Sequence, residues 1–133
     1  MNEPKRRFFE RAMQNASHAA PTVIGEGTIV FGDIRAPGQV IVSGEVHGDG
    51  DLGGPLHMAA SAVWNGIVKA QHALIAGHIT GGLIVEDKVE IGYTAVIHGR
   101  VSARTIAIAK GAIVDGQLET TSGEVTEYEE RRG

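Results

Sequence analysis

The sequence predicts an all-β protein, a three-sided β-helix of about six coils with a short disordered tail at each end. Two features of the chain carry this. A five-residue word, glycine followed two places on by Val, Ile or Leu and then by a small residue, recurs as GDIRA at Gly32, GEVHG at Gly44, GIVKA at Gly66, GHITG at Gly77, GRVSA at Gly99 and GQLET at Gly116. Five residues cannot bury an apolar side chain unless a neighbouring coil stacks on them, so so short a repeat marks a solenoid. Corner-forming residues also fall on three interleaved tracks with a common step near 17. These are Gly32, Gly48, Gly66, Gly82, Gly99 and Gly116; Gly27, Gly44, Ala60, Gly77, Tyr93 and Lys110; and Gly38, Gly54, Gln71, Lys88, Thr105 and Ser122. Three tracks make three sides of five or six residues, each long enough for a short strand.

The sides follow in order along the chain. From Thr22, Val23, Ile24, Ile29 and Phe31 supply the first coil. In the second, Val40, Val42 and Val46 share one phase of a period-two pattern, and Ile106 and Ile108 do so near the far end. The glycine-rich stretch 48–58, with Pro55 inside it, predicts a bulged or irregular side. Ile113, Val114 and Leu118 end the coil. The resulting division is an N-terminal tail at 1–21, a β-helix domain at 22–120 and an acidic, disordered tail at 121–133. At about 4.8 Å per stacked strand the domain is a rod roughly 25 to 30 Å long.

Composition fits a narrow core. Aromatics are 5% of the chain, because stacked coils favour aliphatic rows and leave little room for rings. Nineteen glycines without a period would suggest disorder; here they mark corners. With no cysteine there are no disulfides or thiolate metal sites, and no secretory segment or run of 18 apolar residues occurs, so a cytoplasmic protein is expected. The net charge is −4, and the coil itself is acidic, which argues against nucleic acid as a partner. No phosphate-cradling loop, nucleophile elbow or paired-carboxylate motif points to catalysis or to a cofactor.

The phrase TVIGEGTIVFGDIRAPGQVIVSGEVHG resembles the opening of a bactofilin, and the similarity runs on to about GQLET. The resemblance implies a right-handed β-helix that polymerises end to end, without nucleotide, into bacterial cytoskeletal filaments. It also implies a scaffold at the inner membrane surface for cell-wall or morphogenetic proteins. Two departures from the commoner pattern are the frequent histidines (His47, His57, His72, His78, His98) and the glycine-rich stretch at 49–54.

The residues support self-assembly separately. A solenoid's terminal coils leave backbone groups unpaired and an apolar cross-section open unless a polar or helical segment caps them. No such cap is evident, so Val23, Ile24, Ile29 and Phe31 at one end, and Ile113, Val114 and Leu118 at the other, are the expected polymerisation interface. In the N-terminal segment a helix would gather Phe8, Phe9, Ala12, Met13 and Ala16 on one face. Lys5, Arg6, Arg7, Phe8, Phe9, Arg11 and Met13 are then the expected membrane contact, since apolar insertion and attraction to anionic lipid add. A disordered tail and a helix folded over the first coil stay open as readings.

The other singled-out residues have plainer expectations. His72 and His78, six apart, should lie on adjacent faces as surface side chains rather than as zinc ligands. Trp64 precedes a corner and is expected on an outer face or edge, where it could serve as a lateral contact. The competing function is a trimeric hexapeptide-type β-helix enzyme, an acyltransferase or a γ-carbonic-anhydrase-like protein. Such enzymes step by six, hence 18 per coil, against the 17 found here.

Overall fold

Alternating aliphatic residues separated by tight corners leave each side of the coil room for about three strand residues, and only stacking satisfies their backbone groups. The computed structural model describes residues 21–128. They form 14 strands: β1 (Thr22–Ile24), β2 (Ile29–Phe31), β3 (Ile34–Ala36), β4 (Val40–Val42), β5 (Glu45–His47), β6 (Gly50–Leu52), β7 (Leu56–Met58), β8 (Val63–Ala70), β9 (Ala73–Ile75), β10 (His78–Val85), β11 (Lys88–Ile91), β12 (Val96–Ala109), β13 (Ile113–Asp115) and β14 (Leu118–Tyr128). The longer strands run through a corner and serve more than one face. All pairings are parallel, and the coil is a three-sided β-helix of about six turns.

The first face stacks β1, β4, β7, β9, β11, residues 105–109 of β12 and residues 124–128 of β14. The second stacks β2, β5, residues 63–65, 78–80 and 96–98, and β13. The third stacks β3, β6, residues 68–70, 83–85, 101–103 and 118–120. The strand ladders bring like residues into rows. On the first face Val40, Leu56, Ala73, Val89 and Ile106 form one buried row, and Ile24, Val42, Met58, Ile75 and Ile91 another, ending on half-buried Ile108. On the second only the middle residue points inward, in the row Val46, Trp64, Ile79 and Ile97. The core is wholly apolar among the described residues.

Two corners explain the uneven steps. Between the first and second faces the first, third, fifth and sixth coils make a four-residue turn, in which the amides of Thr28, Ala62, Ala95 and Ala112 bond to the carbonyls of Gly25, Ala59, Gly92 and Ala109, whereas the second and fourth make a shorter corner whose Gly44 and Gly77 pack directly against the carbonyls of the turns beneath. Between the second and third faces a glycine column runs Gly32, Gly48, Gly66, Gly81, Gly99 and Gly116, all at positive φ. From Gly48 onward, a Cβ on any member would run into the carbonyl of the member below. The expected track had Gly82 in this column; Gly81 holds the place, because the third coil steps by 15 residues and its neighbours by 18.

Three further expectations are corrected. The stretch 48–58 is not irregular: β6 and β7 pair in register with the rungs beneath them. Trp64 is not on an outer face or edge but fully buried, with its indole N–H donating to the Gly48 carbonyl at 2.9 Å. The two errors share a cause. A Cβ on Gly50 would lie 2.6 Å from Cζ2 of Trp64, so the glycine is there to make room for the ring. Finally, residues 121–128, expected in the disordered tail, continue β14, with Thr105 opposite Glu124 and Ala109 opposite Tyr128. The step there is 19, not 17, and takes Ser122 off its expected corner position.

Candidate assembly ends

Each end of the rod presents strands paired on one side only. At the N-terminal end β1, β2 and β3 bond to β4, β5 and β6, and their other edges are open among the described residues. At the C-terminal end β13 and β14 bond only to β12. An open parallel edge is a row of unpaired donors and acceptors, which is a template for another strand.

The ladder register separates residues that line the end of the core from residues that merely lie near it. Following the buried rows outward, the N-terminal cross-section is closed by Thr22, Ile24, Val30, Ile34 and Ala36, and the C-terminal one by Val114, Leu118, Thr120, Val125 and Glu127. Ile24 is 7% exposed and Leu118 37%. Val23, Ile29, Phe31 and Ile113 occupy the opposite phase and project from the outer faces. The expected interface set is therefore of two kinds: Ile24, Val114 and Leu118 belong to the cross-section, and the other four form its rim. Val30, Ile34 and Val125 were not singled out from sequence. The signal for Val30 and Ile34 was available in their register with Val46 and Val68 through the ladder, but only once corner lengths were known.

The rim is distinctive at the N-terminal end. Phe31, 80% exposed, stacks on His47 with ring centroids 5.0 Å apart and an interplanar angle of 14°. His47 also meets the Glu45 carboxylate at 3.0 Å and the Asn65 amide at 3.1 Å. A polar ladder on the outer second face thus ends in an exposed ring. Aspartates reinforce the adjoining corner: the Asp49 amide donates to the Asp33 carboxylate and the Ile67 amide to the Asp49 carboxylate, each at 3.0 Å.

Among the described residues no other arrangement competes with the ends as a site. The side chain of Arg104 hydrogen-bonds Asp87 and holds its carboxyl below the usual range, but the pair is solvent-exposed and contributes little to stability. His72 lies beside Asp87 at the corner before β9, whereas His78 opens β10 on the second face, so the two are on different sides as expected. Among the described residues no three His, Asp or Glu side chains come together in a way that could hold a metal ion, and no helix is long and apolar enough to cross a membrane. Lys5, Arg6, Arg7, Phe8, Phe9, Arg11 and Met13 lie outside the described residues.

Comparison with known proteins agrees with this architecture. Residues 22–119 match the family model described as bactofilin, polymer-forming cytoskeletal. The chain is 32% identical over 100 residues to bactofilin BacO of Myxococcus xanthus (strain DK1622), covering 75% of this chain and 79% of that protein. No solved structure matches. A parallel β-helix with open, apolar ends, matched over about three quarters of its length, places this chain in the bactofilin family of polymer-forming cytoskeletal proteins.

Proposed function

We propose that this protein assembles end to end, without nucleotide, into a filament held at the inner face of the cytoplasmic membrane by its N-terminal segment, and that the filament scaffolds cell-wall or morphogenetic proteins. The observation that carries the reading is the pair of open strand edges over apolar cross-sections. Stacking one end on another continues the strand ladder and buries Ile24, Val30 and Ile34 or Val114 and Leu118, at about 25 cal/mol per Å² of apolar surface removed from water. Phe31, Ile29 and Val23 then form the rim of the contact.

A charge in the cross-section should stop assembly and leave the monomer folded. Ile34→Arg at one end and Leu118→Arg at the other each place an unpaired guanidinium where a second copy must stack, and desolvating it costs several kcal/mol. In the monomer both side chains can reach solvent, so circular dichroism should be unchanged. Electron microscopy and sedimentation are expected to show short particles in place of filaments. Filaments of normal length from both variants would disprove the assignment of these ends.

Location should depend on the N-terminal segment and polymerisation should not. Deleting residues 1–13 removes Phe8, Phe9 and Met13 with their basic flank and leaves every described strand in place. Single anchors of this kind bind weakly, but many on one filament act together. Co-sedimentation with vesicles containing anionic lipid should fall sharply for the deletion and for Phe8→Ala/Phe9→Ala, with filaments retained. Equal pelleting of all three proteins would refute membrane contact, and loss of filaments in the deletion would show that the segment packs on the first coil.

A further inference from the structure

The first face differs from the other two in what it turns outward. Its outward row runs Val23, Ile41, His57, Leu74 and Glu90, so three of its first four rungs present an aliphatic side chain. Val23 and Leu74 are exposed and Ile41 half-buried. On the other faces charge interrupts the outward rows from the start: Arg35, Asp51 and Lys69 follow one another on the third, and Glu45 separates Ile29 from Val63 on the second. Two hollows of about 210 and 440 Å³ lie along the first face and share Lys88 and Glu90. The smaller is walled by His57, His72 and Leu74, and the larger reaches Glu124 and Tyr128. Strip and hollows lie on the side wall of the rod, where stacking at either end leaves them uncovered.

The chain enters the rod beside this strip. The Thr22 amide donates to the Gln39 carbonyl at 2.9 Å, so the preceding segment leaves from the corner between the third and first faces, next to Val23. Leu74 stands on the fourth rung of the first face, about 14 Å along the rod from Val23. From Met13 to Pro21, four helical and four extended residues reach about 19 Å, which is enough to bring Met13 over Leu74. The pattern of the segment matches the strip. Phe8, Phe9 and Met13, which a helix gathers on one face, meet aliphatic side chains, and Arg6, Arg7 and Arg11 meet Glu90 and Glu124 at the far end. The ion pair that Lys88 makes with Glu90, at 3.4 Å, is exposed and opens at little cost.

We propose that the outer first face is a seat for the chain's own N-terminal segment, with Phe8, Phe9 and Met13 laid along Ile41 and Leu74, and that anionic membrane competes with this seat for the same side chains. The seat rests on the membrane contact proposed above and adds a closed state to it. Burial of apolar surface drives both arrangements, and one set of side chains cannot serve both at once. Affinity for lipid is then lowered by the fraction of segments that stay seated.

Because the chain has no cysteine, an introduced pair reports contact without background in the full-length protein. Leu74 on the first face and Ile84 on the third both stand on fourth rungs, are 42% and 40% exposed, and flank the corner from which the segment leaves, so they make a matched pair of positions. Under mild oxidation Met13→Cys/Leu74→Cys should form its intramolecular disulfide at least about fivefold faster than Met13→Cys/Ile84→Cys, because only a seated residue is held within bonding distance. Once oxidised, the first variant should pellet less with vesicles containing anionic lipid, and dithiothreitol should restore it. Leu74→Glu should bind the same vesicles at a lipid concentration at least about threefold lower than the unmodified protein. The added negative charge by itself would weaken that binding, so the gain reports release from the seat. Equal disulfide rates for the two pairs would overturn the seat, as would unchanged or weaker vesicle binding by Leu74→Glu where the unmodified protein binds. Disulfide-linked dimers from Leu74→Cys alone would overturn it in favour of a second rod on this face. A selective disulfide with no vesicle binding by any of the proteins would keep the seat and overturn the membrane contact.

Discussion

Trp64→Ala should destabilise the monomer by about 3–5 kcal/mol, the range for removing a large buried aromatic side chain. The indole is fully buried in the second face's inward row, between Val46 and Ile79, and its N–H is bonded to the Gly48 carbonyl. Truncation opens a cavity against Gly50, which has no side chain to relax into it, and against Val68. Gly50→Val fails for the complementary reason, since its Cβ would lie 2.6 Å from the ring. The double variant Gly50→Val/Trp64→Val restores the aliphatic pairing that the other coils use and should recover more than half of the summed loss. Urea unfolding followed by circular dichroism gives the three free energies. Strict additivity of the two single effects would show that ring and glycine are not one packing unit.

Gly81→Ala and Gly82→Ala should differ by at least about 3 kcal/mol, although the residues are neighbours. At Gly81 the backbone has φ 131°, which costs a non-glycine residue about 1–3 kcal/mol, and the new methyl would collide with the Gly66 carbonyl. That carbonyl is fixed within the glycine column and cannot move without disturbing the corner beneath it. At Gly82 φ is not positive and the nearest atom to a Cβ, the Arg100 carbonyl oxygen, is 3.5 Å away, an ordinary contact. Ala there should be close to neutral. With total stabilities of about 5–15 kcal/mol for domains of this size, the Gly81 variant is expected to melt at a markedly lower temperature. Matching melting temperatures for the two would remove the column as a structural determinant.

The amino-acid sequence by itself determined the architecture. Stacking forces a period on the chain, and the period survives in the glycine words, in the aliphatic phase of Val40, Val42 and Val46, and in the spacing near 17 that sets three sides. It marked the apolar residues of the first and last coils as well, since Val23, Ile24, Ile29, Phe31, Ile113, Val114 and Leu118 stand at the two limits of the repeat. Only the tertiary structure decided which of these face the cross-section and which form its rim. A corner one residue longer or shorter reverses every following side chain's direction, and corner lengths here vary between coils while averaging to a constant step. The same uncertainty concealed Trp64, whose burial depends on Gly50 lying one strand away in space and 14 residues away in sequence. It also concealed β14. A polar, acidic segment has no apolar pattern to announce a strand; residues 124–128 are held because the edge of β12 offers unpaired backbone groups, and a row of backbone hydrogen bonds needs no particular side chain.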